Sequence, residues 1–188
     1  LKERNEMHEQ SGVDAILHGA TSGLGVSFKE ALTLLSLEDA EAIQLLNRTA
    51  SGLRQRYFGN KIFLYGFVYF STYCRNNCAF CYFRRGNTAS PRYRKSLEEI
   101  LEVSCEMRDE GVHLIDLTSG EDPIFHDANN FDPLLEMVRE VKRTTGVPVM
   151  VSPGIVPDEV LLSLADSGAD WYALYQETHN PGLYKQLR

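Results

Sequence analysis

Residues 62–81 read IFLYGFVYFSTYCRNNCAFC, a nearly continuous apolar and aromatic run that leads directly into three closely spaced cysteines. Such a run predicts a fully buried strand, which is typical of a parallel sheet. Cys74, Cys78 and Cys81 follow on one short loop, spaced four and then three residues apart. A loop this tight cannot easily pair its own thiols, but it can place three thiolates around one face of an iron–sulfur cluster. Cube-type clusters normally take four protein ligands, so one iron would stay open to a small molecule.

Two other uses of these thiols are less favoured. A zinc site would need a fourth ligand and usually contains two C-x-x-C halves. The remaining cysteine, Cys105, lies in a helical pattern and is predicted to be a core thiol. A disulfide is poorer still, because nothing in the sequence looks secretory.

Composition sets the class of protein. The chain has 188 residues, of which 43% are hydrophobic and 24% charged, which is ordinary for a globular protein with one core. Its net charge of -7 argues against nucleic-acid and anionic-membrane partners. No apolar run approaches the ~20 residues of a membrane span, and the acidic first 20 residues do not resemble a signal peptide. We therefore expect a cytoplasmic protein.

The first 60 residues predict an N-terminal arm and helical cap. Residues 1–27 are polar and contain glycine, and the pattern from Phe28 to Phe58 is helical. The stretch from Gly19 to Gly25 looks like the nucleotide loop of short-chain dehydrogenases. It lacks a firm strand before it and an acidic residue on a following strand, so we do not assign it to dinucleotide binding.

Strands and helices alternate over residues 61–188. The predicted strands cover residues 62–70, 112–118, 148–152 and 169–175, with helical patterns between them and another after Asn180-Pro181. Four such repeats predict an α/β fold with a parallel sheet. Because a closed (β/α) barrel has eight strands and typically ~250 residues, we expect this chain to hold the first half of a TIM-type barrel within a longer polypeptide.

Chemically suggestive residues follow each predicted strand. The cysteines follow the first strand, and the later groups are Ser119-Gly120-Glu121-Asp122-Pro123, Ser152-Pro153-Gly154 and Gln176-Glu177-Thr178-His179. The active site of a (β/α) barrel gathers at the carboxyl ends of its strands, so these groups are expected to meet.

The spacing C-x-x-x-C-x-x-C with an aromatic residue at Phe80 is the signature of the radical S-adenosylmethionine (SAM) enzymes. Within that superfamily the sequence resembles the methylornithine synthases. The resemblance is carried by YFSTYC at 69–74, CAFCY at 78–82, RYR at 92–94, DLTSGEDP at 116–123, SPG at 152–154 and ALYQET at 173–178. Maturases of iron-iron hydrogenase and biotin synthases share the cysteine loop and the stretch from Ser119 to Pro123. Tyr82-Phe83 and Asp116-Leu117-Thr118 favour methylornithine synthase over both.

The resemblance implies the cofactors and their ligands. Cys74, Cys78 and Cys81 would bind a [4Fe-4S] cluster as metal ligands, and the amine and carboxylate of SAM would chelate its open iron. Phe80 would lie against the adenine of SAM, although it could equally shield the cluster from water.

Four further residues are implied SAM contacts. Gly120 and Glu121 occupy the place of a Gly-Gly-Glu motif that receives the SAM ammonium group, with Ser119 replacing the first glycine. Their alternative is a plain turn. Glu177 and Ser152 would also contact SAM, against the alternatives of a helix-entry acid and a strand-end turn.

Asp116 is the implied substrate-binding residue. An acid within an otherwise apolar strand is costly to bury unless it is paired, and in a barrel lumen it could pair with the amino group of an amino acid. A structural salt bridge is the alternative.

The implied reaction converts L-lysine to (3R)-3-methyl-D-ornithine in pyrrolysine biosynthesis through a 5'-deoxyadenosyl radical. It needs a flavodoxin- or ferredoxin-type reductant, an anaerobic cell, and further substrate contacts from later strands. The alternatives are another radical SAM enzyme, of the hydrogenase-maturase or biotin-synthase type, and a non-catalytic fragment that binds a cluster.

Overall fold

The computed structural model describes residues 2–188, with side chains from Gly12 onward. The chain divides into two compact units, with the boundary along the sequence between Ile62 and Phe63. The predicted assignment of residues 1–60 to a helical cap stays a prediction. None of the described helices is both long and apolar enough to cross a membrane.

The first unit consists of three helices: α1 (Lys2–Thr21), α2 (Phe28–Leu35) and α3 (Ala40–Phe58). The Ser27 side chain and Glu30 form a reciprocal capping box at the start of α2, and the Asp39 carboxylate accepts a 2.7 Å hydrogen bond from the Ala42 amide at the start of α3. The glycine-rich segment from Gly19 to Gly25 begins in the last turn of α1 and continues beyond its end at Thr21. It therefore lacks the preceding strand that a dinucleotide loop requires.

The second unit is a parallel sheet with helices, as predicted. Its four strands pair in chain order and all run parallel: β1 (Tyr65–Tyr69), β2 (Leu114–Thr118), β3 (Val149–Ser152) and β4 (Trp171–Tyr172). Its helices are α4 (Leu97–Asp109), α5 (Pro123–His126), α6 (Asp132–Thr145), α7 (Asp158–Asp166) and α8 (Pro181–Leu187).

Local sequence signals set the helix ends. Ser96 and Glu99 form a capping box at the start of α4. A proline occupies the first turn of α6, which ends at Gly146 in the left-handed conformation, with φ 66°. These signals make the two helices begin and end close to where the sequence predicts.

The hydrophobic core lies between one face of the sheet and the helices. On β2, Ile115 and Leu117 are fully buried in this core, whereas the alternate residues Asp116 and Thr118 belong to the opposite face. The helices contribute Ile100, Leu134, Met137, Val138, Val141 and Leu164 to the same core. The opposite face of the sheet, the lumen face of a (β/α) barrel, is thus left for polar and aromatic side chains.

Two strand predictions are wrong in extent. The strand predicted over residues 62–70 is β1, and its side chains Tyr65, Phe67 and Tyr69 are 39%, 45% and 38% exposed. It is not fully buried, because helices cover one face and its aromatic rings stand on the other. The strand predicted over residues 169–175 is the two-residue β4, which pairs with β3 alone in the described structure. The short helix α5 was not predicted.

We expect Ser96→Ala to lower the free energy of unfolding by about 1 kcal/mol, because it removes the side-chain acceptor for the Glu99 amide at the start of α4. The measurement is denaturant-induced unfolding. Ser163→Ala, in the middle of α7, is the matched control and should leave stability nearly unchanged. Equal losses from both variants would contradict a capping role for Ser96.

Candidate active site

One cavity of about 270 Å³ opens at the carboxyl ends of the strands. The structure brings eight of the nine predicted site residues to its wall. They are Cys74, Cys78, Phe80, Cys81, Gly120, Glu121, Ser152 and Glu177. The ninth, Asp116, lies two residues before Thr118, which is another wall residue. Their individual roles stay predictions.

The cysteine loop is closed by polar contacts with the residues that follow it. The Asn76 carbonyl accepts a 2.8 Å hydrogen bond from the Arg85 amide, and the Asn77 side chain accepts one of 2.9 Å from the Gly86 amide. The Asn76 amide lies 3.4 Å from the Cys74 Sγ atom. Burial raises the pKa of the Cys74 thiol despite this contact. The raised pKa favours the neutral thiol, and a bound cation would shift Cys74 toward the thiolate.

Arg92 holds the far side of this loop and was not singled out from the sequence as a functional residue. Its guanidinium group donates to the backbone carbonyls of Phe83, Arg84 and Asn87 at 2.7–3.2 Å and also to that of Thr72. Carbonyls before and after the cysteines are thereby held by one side chain. This role could not be predicted from sequence, because the partners of Arg92 are backbone atoms.

Asp122, which follows β2, is bound by side chains from both sides of the cysteine loop. The carboxylate is fully buried and accepts two hydrogen bonds from Arg94, at 2.7 and 2.8 Å, and one from the Ser71 hydroxyl. Burial alone would raise the pKa of Asp122, but the Arg94 and Ser71 contacts hold it below its usual range. The Arg94 guanidinium also lies 3.9 Å from the ring centroid of Tyr73, directly before Cys74.

Glu121 is a charged residue of the cavity wall that contacts the cysteine loop. It is 5% exposed, and its Oε2 atom lies 2.9 Å from Nε of Arg75, a member of the cysteine loop. Burial opposes ionisation, yet hydrogen bonds from the Arg75 and Asn76 side chains and the Ile155 amide hold the pKa of Glu121 below its usual range. The structure therefore presents a buried, ionised carboxylate at the cavity.

Two glycines allow this close packing. A Cβ atom on Gly120 would lie 2.8 Å from the Cys74 Sγ atom, and a Cβ atom on Gly154 would lie 2.3 Å from Cγ of Glu121. Gly154 also has φ 84°, a conformation that side chains rarely adopt. Glycine at both positions is therefore required by the approach of Cys74 and Glu121.

Asp116 is fully buried and bound by hydroxyl groups. Its Oδ2 accepts a 2.6 Å hydrogen bond from Tyr65, and Ser152 donates to the carboxylate at 2.9 and 3.1 Å. In the described structure no lysine or arginine forms an ion pair with Asp116. Burial and Asp116 raise the pKa of Tyr65, whose hydroxyl also interacts with Tyr175. Tyr65 could not be recognised from sequence as a partner of Asp116, because it lies within an apolar run.

The two remaining predicted contacts are more exposed. Phe80 is 48% exposed on the cavity wall. Glu177 has a left-handed backbone, with φ 67°, and precedes α8, whose cap is the Asn180 side chain. A helix-entry role is therefore filled by Asn180 rather than by Glu177.

The donor set fits an iron–sulfur cluster. All three thiols are free and line the same cavity, and thiolates are the usual protein ligands of such clusters. Across the part of the chain that the structure describes, no three His, Cys, Asp or Glu side chains converge closely enough to hold one metal ion.

Comparison with known proteins places this site in a family. A protein-family model described as "Radical SAM superfamily" matches residues 68–188. A 3-methylornithine synthase of Methanosarcina acetivorans is 45% identical over 166 residues, which are 88% of this chain and 47% of that protein. The [FeFe] hydrogenase maturase subunit HydE of Thermotoga maritima is 37% identical over 160 residues, which are 85% of this chain and 44% of that protein.

A solved structure gives the same result. The crystal structure of a methylornithine synthase matches with a TM-score of 0.72 at 42% sequence identity, over 86% of this chain and 47% of that one. The predicted fold class, an α/β fold holding about the first half of a TIM-type (β/α) barrel, is confirmed. The chain spans about half the length of the curated relatives it matches.

We expect Arg94→Met to lower the free energy of unfolding by roughly 2 kcal/mol, because Asp122 would stay buried without its cation. The value lies below the ~3–5 kcal/mol of a fully buried pair because the Arg94 side chain is 39% exposed. Arg143→Met, which breaks the exposed pair with Glu140, is the control and should cause no measurable loss. Denaturant unfolding of both variants is the test, and equal stabilities would contradict the role of Arg94.

Proposed function

The chain belongs to the radical SAM superfamily, and on that basis we propose that the protein is a lysine mutase that forms (3R)-3-methyl-D-ornithine from L-lysine. The superfamily's cofactors, a [4Fe-4S] cluster and SAM, are the cofactors of this chain. The observation that carries the proposal is the placement of three thiols and Glu121 around one cavity, with the buried carboxylate of Asp116 hydrogen-bonded to Ser152 of its wall. Identity of 45% to a 3-methylornithine synthase supports this choice of reaction.

Cys74, Cys78 and Cys81 would hold the cluster as thiolates. When bound and reduced, the cluster would supply the electron for radical chemistry with SAM, by which a hydrogen atom would be removed from the substrate. Gly120 leaves room for Cys74 beside the end of β2, and Glu121 offers a charge-assisted hydrogen bond to the SAM ammonium group. The contacts proposed for Phe80, Ser152 and Glu177 are supported by their position on the same wall.

Asp116 would bind an ammonium group of lysine. A carboxylate has four lone-pair sites, and the Tyr65 and Ser152 hydroxyls occupy part of them while fixing the orientation of the group. Buried in the sheet, the carboxylate interacts with a cation more strongly than it would in water. A substrate held this way would stay oriented while its carbon skeleton rearranges.

Aromatic side chains would protect the reaction from water and oxygen. The cavity wall includes Tyr69, Phe80, Phe83 and Tyr175, and the rings of Tyr69 and Phe83 lie 5.5 Å apart. Excluding water strengthens the electrostatic contacts of Glu121 and Asp116 and prevents quenching of reactive intermediates. The electron would come from a flavodoxin- or ferredoxin-type protein under anaerobic conditions.

We expect Cys74→Ser, Cys78→Ser and Cys81→Ser each to lose most of the iron bound after anaerobic reconstitution, because each removes a thiolate ligand. Cys105→Ser is the control, since the Cys105 thiol lies on α4 outside the cavity. Iron and sulfide content, with the visible absorbance of the cluster, is the measurement. Full iron content in a variant of one of the three predicted ligands would rule out that ligand.

We expect the reconstituted, reduced protein to convert L-lysine with SAM into 3-methylornithine, detected by mass spectrometry against an authentic standard. Asp116→Asn should raise KM for lysine at least about tenfold, because a charged hydrogen-bond acceptor is lost, while SAM binding stays unchanged. Turnover of another amino acid but not lysine would favour a hydrogenase-maturase- or biotin-synthase-type enzyme. A bound cluster without any SAM cleavage would favour the non-catalytic fragment.

A further inference from the structure

Arg75 contacts Glu121 of the cavity wall, and neither the predicted site residues nor the proposed reaction includes it. It lies within the cysteine loop, directly after Cys74. Its Nε atom contacts Glu121 Oε2 at 2.9 Å, and its backbone amide donates a 2.9 Å hydrogen bond to the Glu121 carbonyl. Arg75, a residue of the cysteine loop, therefore binds both the side chain and the backbone of Glu121.

The contacts of Glu121 are unequal on its two oxygens. Oε2 makes the short contact with Arg75, whereas the contacts of Oε1 with the Ile155 amide and the Arg188 guanidinium are long, at 3.5 and 3.7 Å. The Asn76 side chain also donates to this carboxylate, but each carboxylate oxygen has two lone pairs, so Oε1 can still accept a strong hydrogen bond from a ligand.

Arg75 and a ligand in the cavity would reach the Glu121 carboxylate from different sides. Glu121 lines the cavity, while Arg75 is absent from the described cavity wall and its side chain is 41% exposed. Gly154 packs against Cγ of Glu121 and would clash if it carried a Cβ atom. The carboxylate is therefore fixed by Arg75 from outside the cavity and by Gly154 along its stem.

We propose that Arg75 is a positioning residue that fixes Glu121 through Oε2, so that Oε1 is presented to the ammonium group of SAM bound beside the cysteine loop. The inference rests on the proposed contact between Glu121 and SAM. Because Arg75 belongs to the cysteine loop, this loop would set the orientation of Glu121 toward SAM. A side chain that is held in place before ligand binding loses less freedom on binding, which favours affinity.

The test measures SAM affinity on anaerobically reconstituted protein with matched iron content. SAM is titrated while the change in the electron paramagnetic resonance spectrum of the reduced cluster is followed. The variants are Arg75→Met, Arg75→Lys and Glu121→Gln, together with the double variant of Arg75→Met and Glu121→Gln. Arg75→Gln is measured alongside and replaces Arg75→Met in the comparison if the latter loses iron.

Asp127→Asn provides the matched control, because it removes the other carboxylate partner of Arg75, at 3.4 Å, and leaves the Glu121 contact intact. This pair is exposed and should have no effect on SAM affinity.

We expect Arg75→Met to weaken SAM binding about tenfold and Arg75→Lys to recover part of that loss. The double variant should bind SAM no more weakly than Glu121→Gln alone, because Arg75 acts through Glu121. Two results would overturn the inference: full SAM affinity in Arg75→Met when Glu121→Gln is weakened, or losses that add in the double variant. Full SAM affinity in Glu121→Gln would overturn both this inference and the proposed contact between Glu121 and SAM. Lysine turnover by the protein without substitutions tests the proposed reaction separately.

Discussion

Two adjacent buried carboxylates at the end of β2 are the constraint on which the site depends. Glu121 is 5% exposed and Asp122 is fully buried, and a buried charge is costly unless a cation accompanies it. Arg75 pairs with Glu121, and Arg94 pairs with Asp122. Since one arginine lies inside the cysteine loop and the other lies beyond it, the two ion pairs tie the loop to β2 on both sides. The position of the thiols is thus linked to the electrostatics of the strand end.

The loop has no regular secondary structure of its own between Cys74 and Cys81, so its shape depends on side chains that satisfy its backbone. Arg92 donates to four carbonyls around it, and its fork of donors suits this task. Gly120 then allows Cys74 to pack against the end of β2. The outcome is a preorganised set of thiols, which is what a functional site requires of its supporting residues.

The alternation of strands and helices, the helix caps and the convergence of strand-end residues on one cavity could be predicted from sequence because they follow from local pattern and from the geometry of parallel sheets. The burial of the first strand could not, because an apolar aromatic run looks the same whether one or both faces are covered. The hydrogen bond from Tyr65 to Asp116 could not be predicted for the same reason. The structural roles of Arg75, Arg92 and Arg94 could not be predicted, because their partners are distant in sequence. The contacts with Glu121, Thr72 and Asp122 span 46, 20 and 28 residues.

We propose that two carboxylates at one end of the sheet bind different ligands, with Glu121 on the cavity wall taking the ammonium group of SAM and the buried Asp116 taking that of lysine. The most direct measurement is a crystal structure of the cluster-loaded protein with SAM and L-lysine, grown without oxygen. We expect the SAM nitrogen within about 3.2 Å of a carboxylate oxygen of Glu121 and a lysine nitrogen within the same distance of Asp116. Lysine bound away from Asp116, or a SAM ammonium group turned away from Glu121, would contradict it.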